Sequence, residues 1–153
     1  VSSFKESRAR VALCATSATI DSGMYQSAFR MIGKEIQAFA IPDLAGAIER
    51  GAREEECEGS IRDALGTLDH DSYDVLVLGC THFPLMGALF QKVVGDKKLV
   101  DPATAVAERI LRDLWPREMG YGKTTFYISK DSARFRALAD DMFPKSDFSV
   151  EVV

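Results

Sequence analysis

The chain has 153 residues, of which 46% are hydrophobic and 27% charged, and its formal net charge is −4. These values are ordinary for a globular protein, and no apolar run approaches the ~18 residues of a membrane span. The negative charge argues against nucleic acid and against anionic membranes as general partners, so we expect neither.

The first half of the chain alternates apolar runs with helical patterns. The apolar run Val11–Ala15 predicts a buried strand that leads into a loop over 16–19. Asp21 or Ser22 can cap the helix that follows. In chain order the predicted elements are a strand over 11–15, a helix over 23–32, a strand over 35–41, and helices over 43–50 and 60–68.

The clearest predicted strand lies in the second half, over 74–79, where apolar residues run on without a polar interruption, as expected of a parallel strand covered on both faces. Pro84 suits the first turn of the next helix. In chain order the predicted elements are the strand over 74–79, a helix over 84–94, a strand over 98–100, a helix over 102–115, a strand over 124–128, a helix over 132–143 and a strand over 148–152. The alternation predicts an α/β fold with a mostly parallel sheet flanked by helices.

The three cysteines are Cys14, Cys57 and Cys80, an odd number at wide spacings and without a Cys-x-x-Cys pair. Neither a disulfide framework nor a metal site is expected from this pattern, and the reducing cytoplasm is the expected compartment. Cys14 lies in an apolar run and is expected in the core. Cys57 follows the acidic run 54–56, which we interpret as a solvated face, and Cys57 is expected to be incidental.

Three predicted strand ends carry residues that could form a site, because ligands of open α/β sheets bind at the carboxyl ends of the strands. Residues 16–19 are rich in small hydrogen-bond donors. Residues 41–43 precede Glu49 on a predicted helix, and residues 79–82 read Gly-Cys-Thr-His. These three segments are the candidates for a functional site.

Cys80 is the first residue after the clearest strand, so its thiol is expected to face the strand-end crevice. A helix that begins at Pro84 would favour the thiolate by its partial positive charge, and His82 could shuttle a proton. A thiolate can act as a base or as a nucleophile. Against this, a cysteine that ends a buried strand more often serves packing than catalysis.

Several segments of the chain resemble the glutamate racemase family. The run Gly79-Cys80-Thr81-His82-Phe83-Pro84-Leu85 looks like the second cysteine motif of the bacterial enzymes. Further resemblances, in the family's order along nearly the whole chain, lie at 11–19 with 22–25, 43–51, 100–107, and 126–129 with 134–135.

The resemblance implies an aspartate/glutamate racemase-like domain and an enzyme without metal, pyridoxal phosphate or nucleotide cofactor. Two cysteines flank the substrate α-carbon, and each exchanges a proton on its own face; inversion requires an acid and a base on opposite faces. Glutamate is the implied substrate, and the product D-glutamate would serve peptidoglycan synthesis, and with it cell wall and cell shape, in a bacterium. The implied site residues are Cys80 and His82 for catalysis, and Thr81, Thr16, Thr19 and Glu49 for substrate binding.

The chain also departs from the family pattern. The Asp-Ser loop, the Tyr-Gly pair and the first Cys-Asn-Thr motif of the family's first half do not occur, and Ala15 stands where the family usually has glycine. By analogy, residues 1–100 form the second α/β domain, and residues 101–153 return to complete a first domain whose N-terminal half is absent here. We therefore expect this chain alone to be inactive. Its tail would be covered by the missing half in the complete enzyme, and in the chain alone we expect it to form a homodimer, to repack or to be disordered.

Three alternatives stay open. The parent enzyme could act on aspartate or a related acid. The chain could be a non-catalytic module that binds a dicarboxylic amino acid without exchanging its α-proton. A thiol acyl transferase that uses Cys80 and His82 is less favoured, because no acidic residue is placed to orient His82.

Overall fold

The computed structural model describes residues 1–66, 68–115, 122–144 and 147–153 of the chain. They form two compact units, Val1–Val106 and Ala107–Val153. Within these described residues, no helix has the length and apolar character needed to cross a membrane. Thr67, inside the predicted helix over 60–68, lies outside the described residues.

All strand pairs of the described residues are parallel, which confirms the predicted α/β class. The first unit contains a four-stranded sheet in the order β2-β1-β3-β4, and the second unit contains the pair β5-β6. The strands are β1 (Val11–Ala15), β2 (Ile36–Ala40), β3 (Val75–Leu78), β4 (Lys98–Val100), β5 (Thr124–Ile128) and β6 (Phe148–Val152).

Seven α-helices among the described residues connect these strands, and the structure corrects the start of two predicted segments. The helices are α1 (Ser17–Asp21), α2 (Met24–Met31), α3 (Leu44–Arg50), α4 (Glu54–Leu65), α5 (Gly87–Val94), α6 (Pro102–Asp113) and α7 (Ala133–Met142). Residues 16–19, predicted as a loop, enter helix α1, because Thr16 caps its first turn. The acidic run 54–56 forms the first turn of α4, where carboxylates are favoured by the partial positive charge of the helix end.

The sheet of the first unit is covered on both faces, as its apolar central strands require. One face forms the first core layer with α3, α4 and α5 and receives Cys14 and Leu76. The other face forms the second core layer with α2 and receives Leu13 and Val77. Cys57 is fully buried in the first core layer. Cys57 is therefore a core-packing residue: α4 turns its thiol inward although its sequence neighbours are acidic.

The second unit is built around Phe126 on β5. Its ring lies 5.4 Å from that of Phe135, 5.8 Å from that of Phe143 and 5.7 Å from that of Phe148, measured between centroids. The apolar side chains of α6 and the turn after it are not covered in the same way. Those that are 44–68% exposed within this unit are Ile110, Leu111, Leu114 and Trp115.

An ion pair joins the residues that precede β1 and β3. It should make the free energy of unfolding depend on pH. The Arg10 guanidinium lies 2.7 Å from Asp74 Oδ1, and the Arg10 backbone N–H donates to Asp74 Oδ2 at 2.8 Å. These contacts lower the pKa of Asp74 to about 2. Because the folded-state pKa is depressed, the stabilisation is present above the unfolded-state pKa near 3.9 and is lost as the pH falls through about 2.

We therefore expect Asp74→Asn to destabilise the chain at pH 5 and to do so less at pH 2.5. The measurement is the urea midpoint of both proteins at both pH values. Asp71→Asn removes the same charge from a carboxylate that makes no hydrogen bond to Arg10, so its effect should vary less with pH. A destabilisation by Asp74→Asn that is equal at the two pH values would contradict the prediction.

Candidate active site

Thr16 and Cys80 leave adjacent strands at the same edge of the sheet. β1 and β3 pair in parallel with Cys14 opposite Leu78, and Thr16 and Cys80 each follow that pair by two residues. Cys80 is partly buried and packs against the first core layer. The strand order thus brings together the first and third segments that the sequence marked as candidates.

The backbone that presents Cys80 is fixed by the neighbouring strand. The Gly79 N–H donates to the Cys14 carbonyl oxygen at 2.7 Å, which continues the β1–β3 pairing to the residue before the thiol. The Cys80 carbonyl accepts from the Phe83 N–H at 3.2 Å, and the Phe83 side chain is fully buried. Cys80 is therefore held between a strand pairing and an anchored turn.

The hydroxyl groups of Thr16 and Thr19 meet at the end of β1. Their Oγ1 atoms are 2.9 Å apart, and Thr16 Oγ1 also accepts from the Thr19 backbone N–H at 3.4 Å. Both residues thus belong to one hydrogen-bonded cap at the start of α1. This cap directly follows β1, which is the neighbour of the strand that precedes Cys80. A cap of this kind places two hydroxyl groups at the carboxyl end of β1.

Thr81 and His82 continue the loop after Cys80. Thr81 is exposed, and His82 is partly buried and precedes a 3₁₀ turn, Phe83–Met86. The α-helix that we predicted from Pro84 begins only at Gly87, after Met86 leaves the helical backbone region. The N-terminus of that α-helix therefore lies seven residues after Cys80, and the 3₁₀ turn stands between them.

The three cysteines differ in their access to solvent. Cys14 is fully buried, its Sγ lies 3.6 Å from the Val77 carbonyl oxygen, and burial raises its pKa well above the ordinary value. Cys57 is also fully buried, and burial raises its pKa as well. Cys80 is the cysteine of this chain whose side chain is not fully buried. A substrate at the strand ends can therefore meet Cys80, whereas Cys14 and Cys57 are enclosed in the core.

Glu49 lies apart from this group in the described contacts. It is exposed on the last turn of α3, and no hydrogen bond or ion pair among the described residues joins it to Thr16, Cys80 or His82. The helix α3 does pack against the 3₁₀ turn after His82. A role for Glu49 in substrate binding stays a prediction.

Asp43 is a strand-end residue whose backbone the sequence pattern did not single out. It follows Pro42, is exposed, and has a φ of 58°, in the left-handed region that asparagine and aspartate tolerate better than most other residues. Such strain often accompanies functional loops. Among residues 1–66, 68–115, 122–144 and 147–153, no group of three or more His, Cys, Asp or Glu side chains is arranged to hold a metal ion.

The threonine cap predicts a measurable loss of stability. We expect Thr16→Val, which keeps the side-chain shape but removes Oγ1, to destabilise the first unit by about 1 kcal/mol, because the first turn of α1 loses its cap. Thr19→Val is the matched control: it leaves the Thr19 N–H bonded to Thr16 Oγ1, so its cost should be smaller. Urea denaturation measures both. Equal losses, or a larger loss for Thr19→Val, would show that the cap does not stabilise α1.

Comparisons with known proteins agree on one family. The model of the Asp/Glu/Hydantoin racemase family matches residues 1–110. A glutamate racemase from Lactobacillus johnsonii is 36% identical over 133 residues, which are 82% of this chain and 50% of that protein. A glutamate racemase from Mycobacterium ulcerans is 39% identical over 113 residues, 72% of this chain and 42% of that protein.

Solved structures agree on the fold. The glutamate racemase of Francisella tularensis, in complex with D-glutamate, superposes with a TM-score of 0.81 at 22% identity and covers 99% of this chain and 60% of that one. The glutamate racemase of Thermus thermophilus, in complex with β-chloro-D-alanine, gives a TM-score of 0.75 at 27% identity over 94% of this chain and 56% of that one. The chain spans about half the length of the curated relatives that it matches. With the family model matched over residues 1–110 and an accessible cysteine at the end of a parallel strand, the chain belongs to the Asp/Glu/Hydantoin racemase family.

Proposed function

We propose that this chain is the C-terminal portion of a glutamate racemase that works without a cofactor, and that Cys80 is one of its two catalytic thiols. The observation that carries the proposal is the placement of Cys80: its partly exposed thiol follows β3, beside the hydroxyl-rich end of β1, while Cys14 and Cys57 are buried. A thiol at the carboxyl ends of parallel strands stands where ligands of α/β sheets bind.

In the proposed reaction the Cys80 thiolate removes the α-proton from one face of the substrate. The electron pair of the broken C–H bond moves into the substrate carboxylate, and the opposite thiol donates a proton to the other face of the α-carbon. The two thiols exchange roles for the opposite enantiomer, so no net proton is consumed. Acid and base must both lie within hydrogen-bond reach of the α-carbon, which requires a thiol on each side of it.

The second thiol must come from outside these 153 residues. Cys14 and Cys57 are fully buried in the first core layer and cannot meet a substrate there without unfolding. We therefore propose that the N-terminal half of the enzyme supplies the second thiol, and that this chain alone does not racemise its substrate.

The other site residues are assigned by the resemblance to the family. His82 would assist proton transfer at Cys80, since it follows Cys80 by two residues on the same short loop. Thr81, Thr16 and Thr19 would hold the substrate through hydroxyl and backbone donors, and the 2.9 Å Thr16–Thr19 contact keeps two of these hydroxyl groups together. Glu49 would be a secondary polar residue, contributed by α3.

The choice of glutamate as substrate is supported by the relatives, which are named glutamate racemases, and by the D-glutamate complex of the Francisella tularensis enzyme. In a bacterium the product D-glutamate would enter peptidoglycan, so the proposed setting is the cytoplasm and the proposed process is cell-wall synthesis.

The second unit is proposed to need a partner. Its exposed apolar side chains include Ile110, Leu111 and Leu114, and exposed apolar clusters of this size mark contact surfaces. We propose that the missing N-terminal half covers them in the complete enzyme. In its absence, a homodimer of this chain is the expected alternative, which sedimentation of the isolated chain would detect.

The proposal is tested by following the α-proton of L- and D-glutamate in deuterated water by NMR and the optical rotation of the same samples. The complete protein should exchange the proton and invert both enantiomers, and the 153-residue chain should do neither. Aspartate is run in parallel: faster inversion of aspartate would assign the enzyme to that substrate. Binding of glutamate by the complete protein without any exchange would show a binding module and would overturn the proposal.

A further inference from the structure

A second concave surface lies at the opposite edge of the main sheet. It is a cleft of about 400 Å³ at the amino ends of β1 and β2. Its polar lining consists of Arg8, Arg10, Lys34, Glu35, Gln37 and Ser72. Because the strands are parallel, Thr16 and Cys80 leave the sheet at the other edge, at least the five residues of β1 away, which is about 15 Å. The cleft is therefore distinct from the candidate active site.

Two of the three cations that line the cleft are held in place by neighbouring groups. Arg10 donates to both carboxylate oxygens of Asp74, with Nη2–Oδ1 at 2.7 Å and Nε–Oδ2 at 3.2 Å, and also to the Asp71 carbonyl oxygen. The Lys34 ammonium donates to the Ser7 carbonyl oxygen. Side chains that are already ordered lose less conformational entropy when a ligand binds.

Arg8 is the third cation of the cleft and has the most hydrogen-bond donors available to a ligand. It is exposed, and its guanidinium makes no hydrogen bond or ion pair with another described residue. A guanidinium offers five donors in a planar fork that matches a carboxylate or a phosphate. Arg8 can therefore bind an anion without first giving up a partner within the described part of the chain.

The side chains that line the cleft carry more positive than negative charge. The lining contains three cationic side chains and one anionic side chain, Glu35, although the chain carries a net charge of −4. Asp74 neutralises Arg10, so the charge left for a ligand comes from Arg8 and Lys34. Glu35 reduces it, as do the carboxylates of Asp71 and Asp69 near Arg10. Gln37 and Ser72 add neutral donors, and the Ser72 hydroxyl already lies 3.3 Å from Gln37 Oε1.

We propose that this cleft binds a small anion that carries carboxylate or phosphate groups, with Arg8 and Lys34 as its principal contacts. The chemistry shared by these ligands is an oxyanion group able to accept from a guanidinium and an ammonium at once. Glu35 sets an upper limit on affinity, because its carboxylate repels the same group that Arg8 attracts. The site does not depend on the racemase reaction, and its ligand need not be the racemase substrate.

The test is a titration of the ¹⁵N-labelled 153-residue chain with inorganic phosphate and, separately, with succinate, followed by amide shifts. Saturable shifts confined to the amides of 8–10 and 34–37 are expected with at least one of the two probes, and their relative affinities tell phosphate from carboxylate as the preferred group. Arg8→Gln combined with Lys34→Gln should weaken binding about tenfold. Arg53→Gln combined with Lys130→Gln changes the net charge equally at exposed sites outside the cleft and should leave the affinity within about twofold.

Two further variants make the result decisive. Glu35→Gln should tighten binding, because it removes the repelling carboxylate but leaves Arg8 and Lys34 in place. Cys80→Ala should leave binding unchanged, since Cys80 lies at the other edge of the sheet. Absence of saturation with both probes would overturn the proposal. So would equal weakening in the two double variants, or loss of binding in Cys80→Ala, which would place the anion in the candidate active site.

Discussion

Replacing Cys80 with serine should lower kcat/KM of the proposed complete racemase by about 10²–10⁴-fold while the fold is kept. The expected size is that of a positioned acid or base in proton transfer, and a serine hydroxyl at neutral pH has almost no anionic form to act as the base. Cys80 is partly exposed at the end of β3, so the loss of one sulfur atom there costs little packing. The measurement is steady-state racemisation in both directions, with thermal melts of the two proteins as the check on folding.

The matched control is Cys57→Ala. This thiol is equally a cysteine sulfur but is enclosed by α4 in the first core layer, so its removal should reduce stability and leave kcat/KM per folded molecule unchanged. The two-thiol scheme adds a sharper expectation for Cys80→Ser. The remaining thiol can still remove and return a proton on its own face, so one enantiomer should exchange its α-proton with deuterium without inverting. Full racemisation by Cys80→Ser would remove Cys80 from the mechanism.

The strands of the described residues could be predicted because each is a short run rich in apolar or β-branched residues. β1, β4, β5 and β6 match the predicted bounds, and β2 and β3 lie within theirs. β1 and β3 are buried at every position, which requires apolar side chains throughout and leaves few alternative interpretations of those two runs. The parallel arrangement followed from the helices between the strands.

Helix starts were predicted less well, because they depend on caps more than on apolar periodicity. Residues 17–21 have no apolar stripe, and α1 forms there through the Thr16 cap. The first turn of α4 is a run of glutamates, so the apolar pattern becomes visible only from Cys57 onward. A proline at position 84 starts a 3₁₀ turn as readily as an α-helix, and the sequence pattern does not tell the two apart.

The sequence predicted the individual residues of the candidate site but not their positions relative to one another. Thr16 and Cys80 were predicted to follow strands, yet their proximity depends on the pairing of β1 with β3. The local sequence pattern does not determine the order of strands in a sheet. The close approach of Gly79 to Leu13, Cys14 and Ala15 likewise arises from the pairing of β1 with β3. No sequence motif predicted the cleft at the amino ends of β1 and β2, because its cations come from two separate segments.

Gly79 is the position where a single methyl group should have a large effect on both stability and the site. A Cβ atom there would lie 2.7 Å from Leu13 Cδ1, 3.2 Å from the Ala15 Cβ and 3.2 Å from the Cys14 carbonyl oxygen. Leu13 is fully buried and has little room to turn away, and the carbonyl is held by the Gly79 N–H. We expect Gly79→Ala to cost about 1–3 kcal/mol, as overpacked cores do, and to displace the next residue, Cys80.

Two comparisons separate this overpacking from a general effect of alanine. Gly59→Ala, on α4, adds the same methyl group where nothing lies within 4 Å, so it should be neutral or stabilise the helix by up to about 1 kcal/mol. Leu13→Val shortens the side chain that meets the new Cβ, so the double variant with Gly79→Ala should lose less than the sum of the two single losses. Urea unfolding measures the three free energies, and kcat/KM of the complete enzyme reports whether Cys80 has moved. If the two losses of free energy add strictly and kcat/KM is unchanged, β1 does not set the position of the thiol. If the double variant loses less than the sum and regains activity, the fit of Gly79 against Leu13 and Ala15 places Cys80 at the strand end.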